Sequence, residues 1–389
     1  MSRFHSYLSS TVKIIGSYKK GEPLNHHLKQ FFASNKKYGS RDRKQIASLC
    51  YHYFRCAHLF SSSIDIERII LNSIFLCNQS QHEILNQLAP ELNEKIELPL
   101  EDKFSYLEIN LNNVFKFKEQ LSDQLDQRLF AESIFNQSAL FLRVRPGNMN
   151  KVVEKLNQNQ IHFQQIGEDV IKCNNSVKIN EILKVNKEVV IQDLNSQRVF
   201  NYLRENDFHK DSRQLQVWDT CAASGGKSIL IYDILKGKIK LTASDIRENI
   251  LLNYTSRLQE AGVNIYRKFK QDLSVASGLN NSDKFDLVVC DVPCSGSGTW
   301  ARTPEQYFSF EKENILDFVE KQKSIVKHVL PHLHQNGLLF YITCSVFKSE
   351  NDDMVKFIIT EYNLNLLEQK YLKGYNDNAD TMFIAVFKL

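Results

Sequence analysis

Along RDRKQIASLCYHYFRCAHLF (41–60), apolar side chains return every third or fourth position: Ile46, Leu49, Cys50, Tyr53, Phe54 and Ala57. That spacing lays one apolar stripe along a helix, and Ser40 is of a type that caps a helix start. Similar patterning runs over residues 1 to about 130. It is interrupted by ELPLEDKFSYLEIN (97–110), which reads as a loop and irregular structure, and returns near 115–137. From 138 to about 200 the rhythm changes. ALFLRVR (139–145), DVIKC (169–173) and EVVIQD (188–193) read as strands, MNKVVEKLNQNQI (149–161) as a helix, and PGN as a turn. From about 211, short apolar strands alternate with helical stretches: LQVWD (215–219), IKLTASD (239–245), YRKFKQD (266–272), FDLVVCD (285–291) and LLFYITC (338–344). The clearest helix is 314–333, with Ile315, Phe318, Val319, Gln322, Ile325, Val326, Val329 and Leu330 on one side. Strands spaced by helices predict a parallel, doubly wound sheet.

The chain therefore divides into an all-α part (1–130), a small α+β part (138–205) and an α/β part (211–389). Its 389 residues are too many for one typical core. A net charge of +4 permits an anionic partner without demanding one. The eight cysteines include no CxxC pair, so no metal site is expected. The chain begins without a signal-like apolar run, and no apolar stretch is long enough to span a membrane. A protein of a reducing compartment, in the cytoplasm, follows as the expectation.

Candidate chemistry gathers in the last part. Asp219, Asp245, Asp272 and Asp291 each close a strand, and ligands of open α/β sheets bind beyond the strands' carboxyl ends. Any one aspartate is readily a turn residue; four at equivalent points suggest a ring around one crevice. After the first strand, DTCAASGGKS (219–228) supplies small residues and two glycines, which let backbone approach a ligand before a helix begins. The spacing of a phosphate-binding P-loop is absent. Asp245 is placed to accept from a ribose hydroxyl, which suits a nucleoside cofactor without pyrophosphate, such as S-adenosylmethionine. A lone cysteine at a strand end is usually a small buried hydrophobe. Cys294, in DVPCSGSG, and Cys344, in YITCS, differ because neighbouring strands would bring them to the same rim. Lys227 and a helix N-terminus could favour a thiolate there.

DTCAASGGK, SDIR, QDLS, DVPCSGSGT and YITCSVFKSEN, in that order, resemble the successive motifs of the RsmB/Fmu/Sun family of RNA cytosine-5 methyltransferases. LKQFFASNKKYGSRDRKQIASLCYHYFR resembles that family's NusB-like helical domain, and FLRVR with VVIQDLNSQRVF its small ferredoxin- or RRM-like domain. The resemblance implies a Rossmann-like class I methyltransferase sheet. It places the nucleophile on Cys344, the thiol that assists release on Cys294, a contact to the cytosine edge on Asp291, and Lys227 beside them. Cofactor contacts fall on Cys221, Ala222, Ala223, Ser224, Gly225, Gly226, Lys227, Asp245, Asp272 and Asp291, with Arg247 a weaker candidate. Ser224 stands where the family usually has proline. Thr303 and Glu305 depart from the usual run and put target contacts in question, and Asp380–Phe383 form an altered turn.

The partner implied is RNA, ribosomal RNA of the 16S type by family analogy. Transfer RNA is the alternative substrate, and a non-enzymatic RNA-binding assembly factor is the alternative role. NKKYGSRDRK (35–44) carries Lys36, Lys37, Arg41, Arg43 and Lys44 around Tyr38, the densest basic stretch near an aromatic. It serves equally well as a solvated helix entry or as a phosphate track. Arg143 and Arg145 could extend that track, though a polar strand face explains them too. Trp300 could stack on a flipped base, but core packing suits it better. A monomer is expected.

Overall fold

The computed structural model describes residues 3–110, 113–206 and 213–389, so the expected start of the last domain at 211 lies outside the described residues. Two compact units emerge: residues 1–119, 126–137 and 300–312, and residues 120–125, 138–299 and 313–389.

The first unit is helical. The stripe of 41–60 becomes the helix Ser40–Cys56, capped by Gly39 rather than Ser40, with the Asp42 carboxylate accepting from Gly39 N–H at 3.1 Å. Its Ile46, Leu49, Cys50 and Phe54 pack against Ile14, Leu24, Ile70, Ile74 and Phe75. The stretch expected to be irregular contains a helix, Leu100–Tyr106. Its Lys103 is fully buried because the ammonium donates to the carbonyls of Phe75 (3.1 Å) and Asn78 (2.5 Å), at the C-terminal end of the helix Ile66–Cys77. A lysine spent on capping carbonyls hides the apolar rhythm from the sequence. Trp300 is fully buried among Tyr307, Phe310 and Phe117, with ring centroids 5.0, 5.3 and 5.6 Å away. It is core. Glu305 is buried too, accepting from Leu24 N–H at 3.2 Å.

The second unit holds two sheets. In the smaller, β1 (Leu140–Val144), β2 (Phe163–Gln165), β3 (Val170–Cys173) and β4 (Val189–Ile191) lie in the order β2-β3-β1-β4, all antiparallel. Leu142, Val144, Ile171 and Val189 cover Val152 and Leu156 of the helix Met149–Gln158. Arg143 and Arg145 do not extend a basic track. Both point at Asp233, with Arg143 Nη1 2.6 Å from Oδ2 and Arg145 Nη2 2.6 Å from Oδ1. Arg143 is 1% exposed. A buried guanidinium needs a paired carboxylate, so these arginines anchor the small sheet to the helix Gly226–Ile234.

The larger sheet contains β5 (Leu215–Asp219), β6 (Ile239–Asp245), β7 (Ile265–Lys270), β8 (Phe285–Asp291), β9 (Leu333–Thr343), β10 (Asn365–Leu372) and β11 (Met382–Lys388), in the order β10-β11-β9-β8-β5-β6-β7. The five strands β9-β8-β5-β6-β7 are parallel, as the alternation predicts. The chain steps outward from β5 to β7, then returns to the other side of β5 with β8, so the crevice opens between β5 and β8. β11 runs antiparallel to β9 and β10, an edge the sequence did not announce. NLLEQKYL lacks clean alternation, because β10 lies at the sheet edge and buries little of its first half. Among the described residues, no helix is long and apolar enough to cross a membrane, and no cluster of His, Cys, Asp or Glu is disposed to hold a metal.

Candidate active site

Parallel pairing of β8 and β9 sets Asp291 opposite Ile342. Cys294 lies three residues beyond the one and Cys344 two beyond the other, so both leave the sheet at the same rim. Their Sγ atoms are 3.3 Å apart, and both are free thiols. Gly298 makes the approach possible. Its N–H donates to Cys344 O (2.8 Å), its carbonyl accepts from Thr381 N–H (2.9 Å), and a Cβ there would stand 1.9 Å from Thr381 O. Any other residue would push the Cys294 loop off the sheet.

Both thiols open onto a cavity of about 380 Å³. It is lined by Cys221 and Ala223 after β5, Asp245 at the end of β6 and Arg247 beyond it, Asp272 after β7, Asp291 at the end of β8, and Cys294 and Cys344. Three of the four strand-end aspartates thus face one crevice. Asp219 does not. It is 1% exposed behind the wall, accepting from Ser228 Oγ at 2.5 Å, and burial pushes its carboxyl up to about 7. Asp272 stands in the turn two residues past the end of β7, where Ser274 Oγ and N–H hold its carboxylate below the usual range.

The loop after β5 is shaped by strain. Ala223 has φ +44° and gives its N–H to Asp245 Oδ2 at 3.0 Å. Gly225, at φ +83°, caps the helix Gly226–Ile234, and a Cβ there would lie 2.5 Å from Leu258. Ala222, Ser224, Gly225 and Gly226 shape this turn and do not themselves line the cavity, and neither does Lys227, which pairs with Asp291. Ser224, in the usual place of a proline, accepts from Arg257 through Oγ (2.7 Å) and its carbonyl (3.3 Å). A side-chain tether here takes the place of a fixed φ.

Electrostatics divides the site in two. Lys227 Nζ lies 2.6 Å from Asp291 Oδ2. Burial works against the ammonium, but the Asp291 carboxylate outweighs it and the Lys227 pKa is raised. Asp245 is saturated: Oδ1 accepts from Arg247 N–H (2.9 Å) and Nε (3.0 Å), Oδ2 from Ala223 N–H and Arg247 Nη2 (3.2 Å). Burial raises the Asp245 carboxyl, yet the Arg247 bonds bring it below its ordinary value. The hydrogen bond to Cys344, then burial, push the Cys294 thiol well above its ordinary value.

Of the other expected contacts, Lys36, Lys37, Arg41 and Lys44 are exposed on the helical unit. Arg43 is half-buried, its Nε donating to Tyr38 O at 2.9 Å, and Tyr38 OH is 3.0 Å from Ser10 Oγ. Lys321 and Ile325, which line the cavity, and Glu350, buried beside the cysteine loops, carried no expected role at the site. One signal existed: Gln322 stands on the apolar face of its helix and proves fully buried.

Carboxylate acceptors, apolar walls from Ile246, Val292, Pro293 and Ile325, and no phosphate-binding spacing make a fit for a nucleoside bearing a cationic sulfonium. Residues 205–388 match the family described as 16S rRNA methyltransferase RsmB/F. The probable ribosomal RNA small subunit methyltransferase B of Bacillus subtilis is 29% identical over 203 residues, 52% of this chain and 44% of that protein. The ribosomal RNA small subunit methyltransferase B of Enterobacter sp. is 30% identical over 168 residues, 43% of this chain and 37% of that one. The chain thus spans less than half the length of these relatives. PH0851 superposes with a TM-score of 0.72 at 16% identity, covering 99% of this chain and 98% of that one. NSun6 from Pyrococcus horikoshii with SFG superposes at 0.59 with 14% identity, covering 72% and 96%. At such identities the two structures speak for the fold, a Rossmann-like methyltransferase sheet preceded by helices. S-adenosylmethionine is the methyl donor of the matched family. Over residues 205–388, a little under half of its length, this chain is similar to the 16S rRNA methyltransferase RsmB/F family.

Proposed function

We propose that the protein transfers a methyl group from S-adenosylmethionine to C5 of a cytosine in RNA, with 16S ribosomal RNA as substrate, through a covalent bond between Cys344 and C6. The observation behind this is the pair of thiols 3.3 Å apart at the lip of the cavity, beside the Lys227–Asp291 pair. The names of the relatives support the substrate class.

Cytosine C5 is a poor nucleophile until a thiolate adds to C6 and makes it enamine-like. Cys344 supplies that thiolate. Asp291, held by Lys227, meets the N3/N4 edge and favours N3 protonation as charge develops on the ring. Bound S-adenosylmethionine supplies the electrophilic methyl group that the activated C5 takes up. Asp272 and Asp245 would hold the cofactor's hydroxyl and amino groups, the largely exposed Arg247 side chain being free to swing away from Asp245.

Release falls to Cys294. Its thiol stays protonated while Cys344 bonds to it. Once Cys344 is a neutral thioether the largest cause is gone and burial is the main one left, so Cys294 can lose its proton to solvent more readily. The Cys294 thiolate then takes the C5 proton, the C–H electrons form the C5–C6 double bond, and the C6–S bond breaks to return Cys344 as thiolate. The exposed Lys36, Lys37, Arg41 and Lys44 contribute phosphate contacts. Arg143 and Arg145, committed to Asp233, do not.

Bisulfite sequencing of 16S ribosomal and transfer RNA from cells with and without the gene is the test. One 16S cytosine that loses its modification is the expected result. Loss confined to transfer RNA moves the substrate, and no lost cytosine overturns the proposal.

A further inference from the structure

Glu350 is fully buried, yet its carboxylate is fully bonded. Oε1 accepts from Ser295 N–H (2.9 Å) and Gln322 Nε2 (3.0 Å); Oε2 accepts from the hydroxyls of Ser295 and Ser345, each at 2.5 Å. Ser295 follows Cys294 and Ser345 follows Cys344 in the chain. One side chain therefore grips both cysteine loops at the residue next to each sulfur. Its supports repeat the arrangement. Gln322 Nε2 also donates to Pro293 O (3.0 Å), while Asn351 donates through Nδ2 to Ser345 O (2.8 Å) and accepts through Oδ1 from Thr343 Oγ1 (2.6 Å). The Tyr341 hydroxyl lies 2.8 Å from Glu350 O.

Given the roles proposed above for Cys344 and Cys294, on which this depends, we propose that Glu350 is a positioning residue that fixes the distance between the two thiols and thereby the release of the methylated base. It touches neither substrate nor cofactor. Ser295 contributes two of its four donors, so the Cys294 loop depends on it most. Burial raises the Glu350 carboxyl above its ordinary value, with the four donors working against that rise, and the geometry makes its two oxygens the acceptor that both loops share. A neutral amide brings N–H groups of its own to a place where every neighbour already donates.

Glu350→Gln is expected to lower kcat by about 10- to 100-fold, the scale of a misplacement near 1 Å. KM for S-adenosylmethionine should stay within about two-fold, since the cofactor wall is built elsewhere, and the covalent protein–RNA adduct should accumulate on denaturing gels. A merely structural role would lower the melting temperature and the active fraction without trapping adduct. Ser295→Ala keeps the carboxylate and its bond to Ser345, and loosens chiefly the Cys294 arm. It should trap adduct too, which keeps the proposal testable if Glu350→Gln folds poorly. Ser345→Ala should slow adduct formation instead. Cys294→Ala is the control. If it traps adduct while Glu350→Gln and Ser295→Ala do not, the positioning role is wrong and the cysteine roles stand. If Cys294→Ala traps none, the cysteine roles fail and this inference with them.

Discussion

Among the described residues, two pairs of thiols approach within hydrogen-bonding distance. In the sheet unit, Cys294 and Cys344 are 3.3 Å apart at the mouth of a cavity. In the helical unit, Cys56 and Cys77 are 3.6 Å apart where two helices end. Sulfur–sulfur distance alone does not tell them apart. Nearby positive charge does not either, because Arg55 and Lys103 lie close to the helical pair. Those cations are spent, Arg55 on the carbonyls of Ile134 and Asn136 and Lys103 on those of Phe75 and Asn78. Cys56 is fully buried, and burial first, then Cys77, raises its thiol. The sheet pair instead sits on loops, faces three carboxylates and a lysine, and is gripped from behind by Glu350. Chemistry follows from access to an open cavity, more than from two sulfurs meeting.

The largest effect expected from that difference is at Cys344. Cys344→Ala should cut methyl transfer by at least ~10³-fold, the scale of losing a covalent nucleophile, and should form no RNA adduct. Normal turnover in that variant would make the two pairs equivalent after all. Cys294→Ala should follow, with turnover reduced by roughly 10²-fold or more and with adduct accumulating. The two variants separate by gel alone: one never attaches, the other never lets go.

Much of this site was legible. The order and types of DVPCSGSG and YITCS, on consecutive parallel strands, were enough to bring the two sulfurs together, because parallel pairing has a fixed register. The five-strand parallel core was legible for the same reason: fully buried strands read as short apolar runs. Groups whose meaning depends on what packs over them were not legible. Arg143 and Arg145 alternate like a polar strand face, and only the position of Asp233 shows that they are buried anchors. Asp219 looks like its three strand-end neighbours, yet Ser228 and Tyr254 close over it. Glu350 stood inside a quoted motif with nothing local to mark it, since its four donors come from three separate segments.

Asp219 extends the contrast to carboxylates: sealed groups should titrate through stability, open ones through activity. Its folded-state pKa of about 7 lies above the ordinary 3.8. Between those values the native state keeps a proton that the unfolded chain has lost. The site's contribution is therefore full below about pH 4 and is lost as pH rises through 7, with a slope approaching about 1.4 kcal/mol per pH unit. Asp219→Asn should remove that decline, so the variant gains stability relative to the parent as pH rises from 5 to 8. Thermal melts across that range check it, and parallel curves for the two proteins would place Asp219 in contact with solvent.

The smallest effect is expected on the helical pair, and it gives the comparison its control. Cys56→Ala removes a fully buried sulfur and leaves a small void, at a cost of about 1–2 kcal/mol. The melting temperature should fall by a few degrees, while methyl transfer per folded molecule stays at the parent's level. Reaction with a maleimide should divide the pairs in the same way. Cys294 and Cys344 label in the folded protein and are shielded by S-adenosylmethionine, whereas Cys56 labels only once denaturant opens the helices, because attack needs both a thiolate and a path to it. Lost turnover in Cys56→Ala at an unchanged melting temperature would mean that the buried pair takes part in the reaction, and access would no longer be what separates the two.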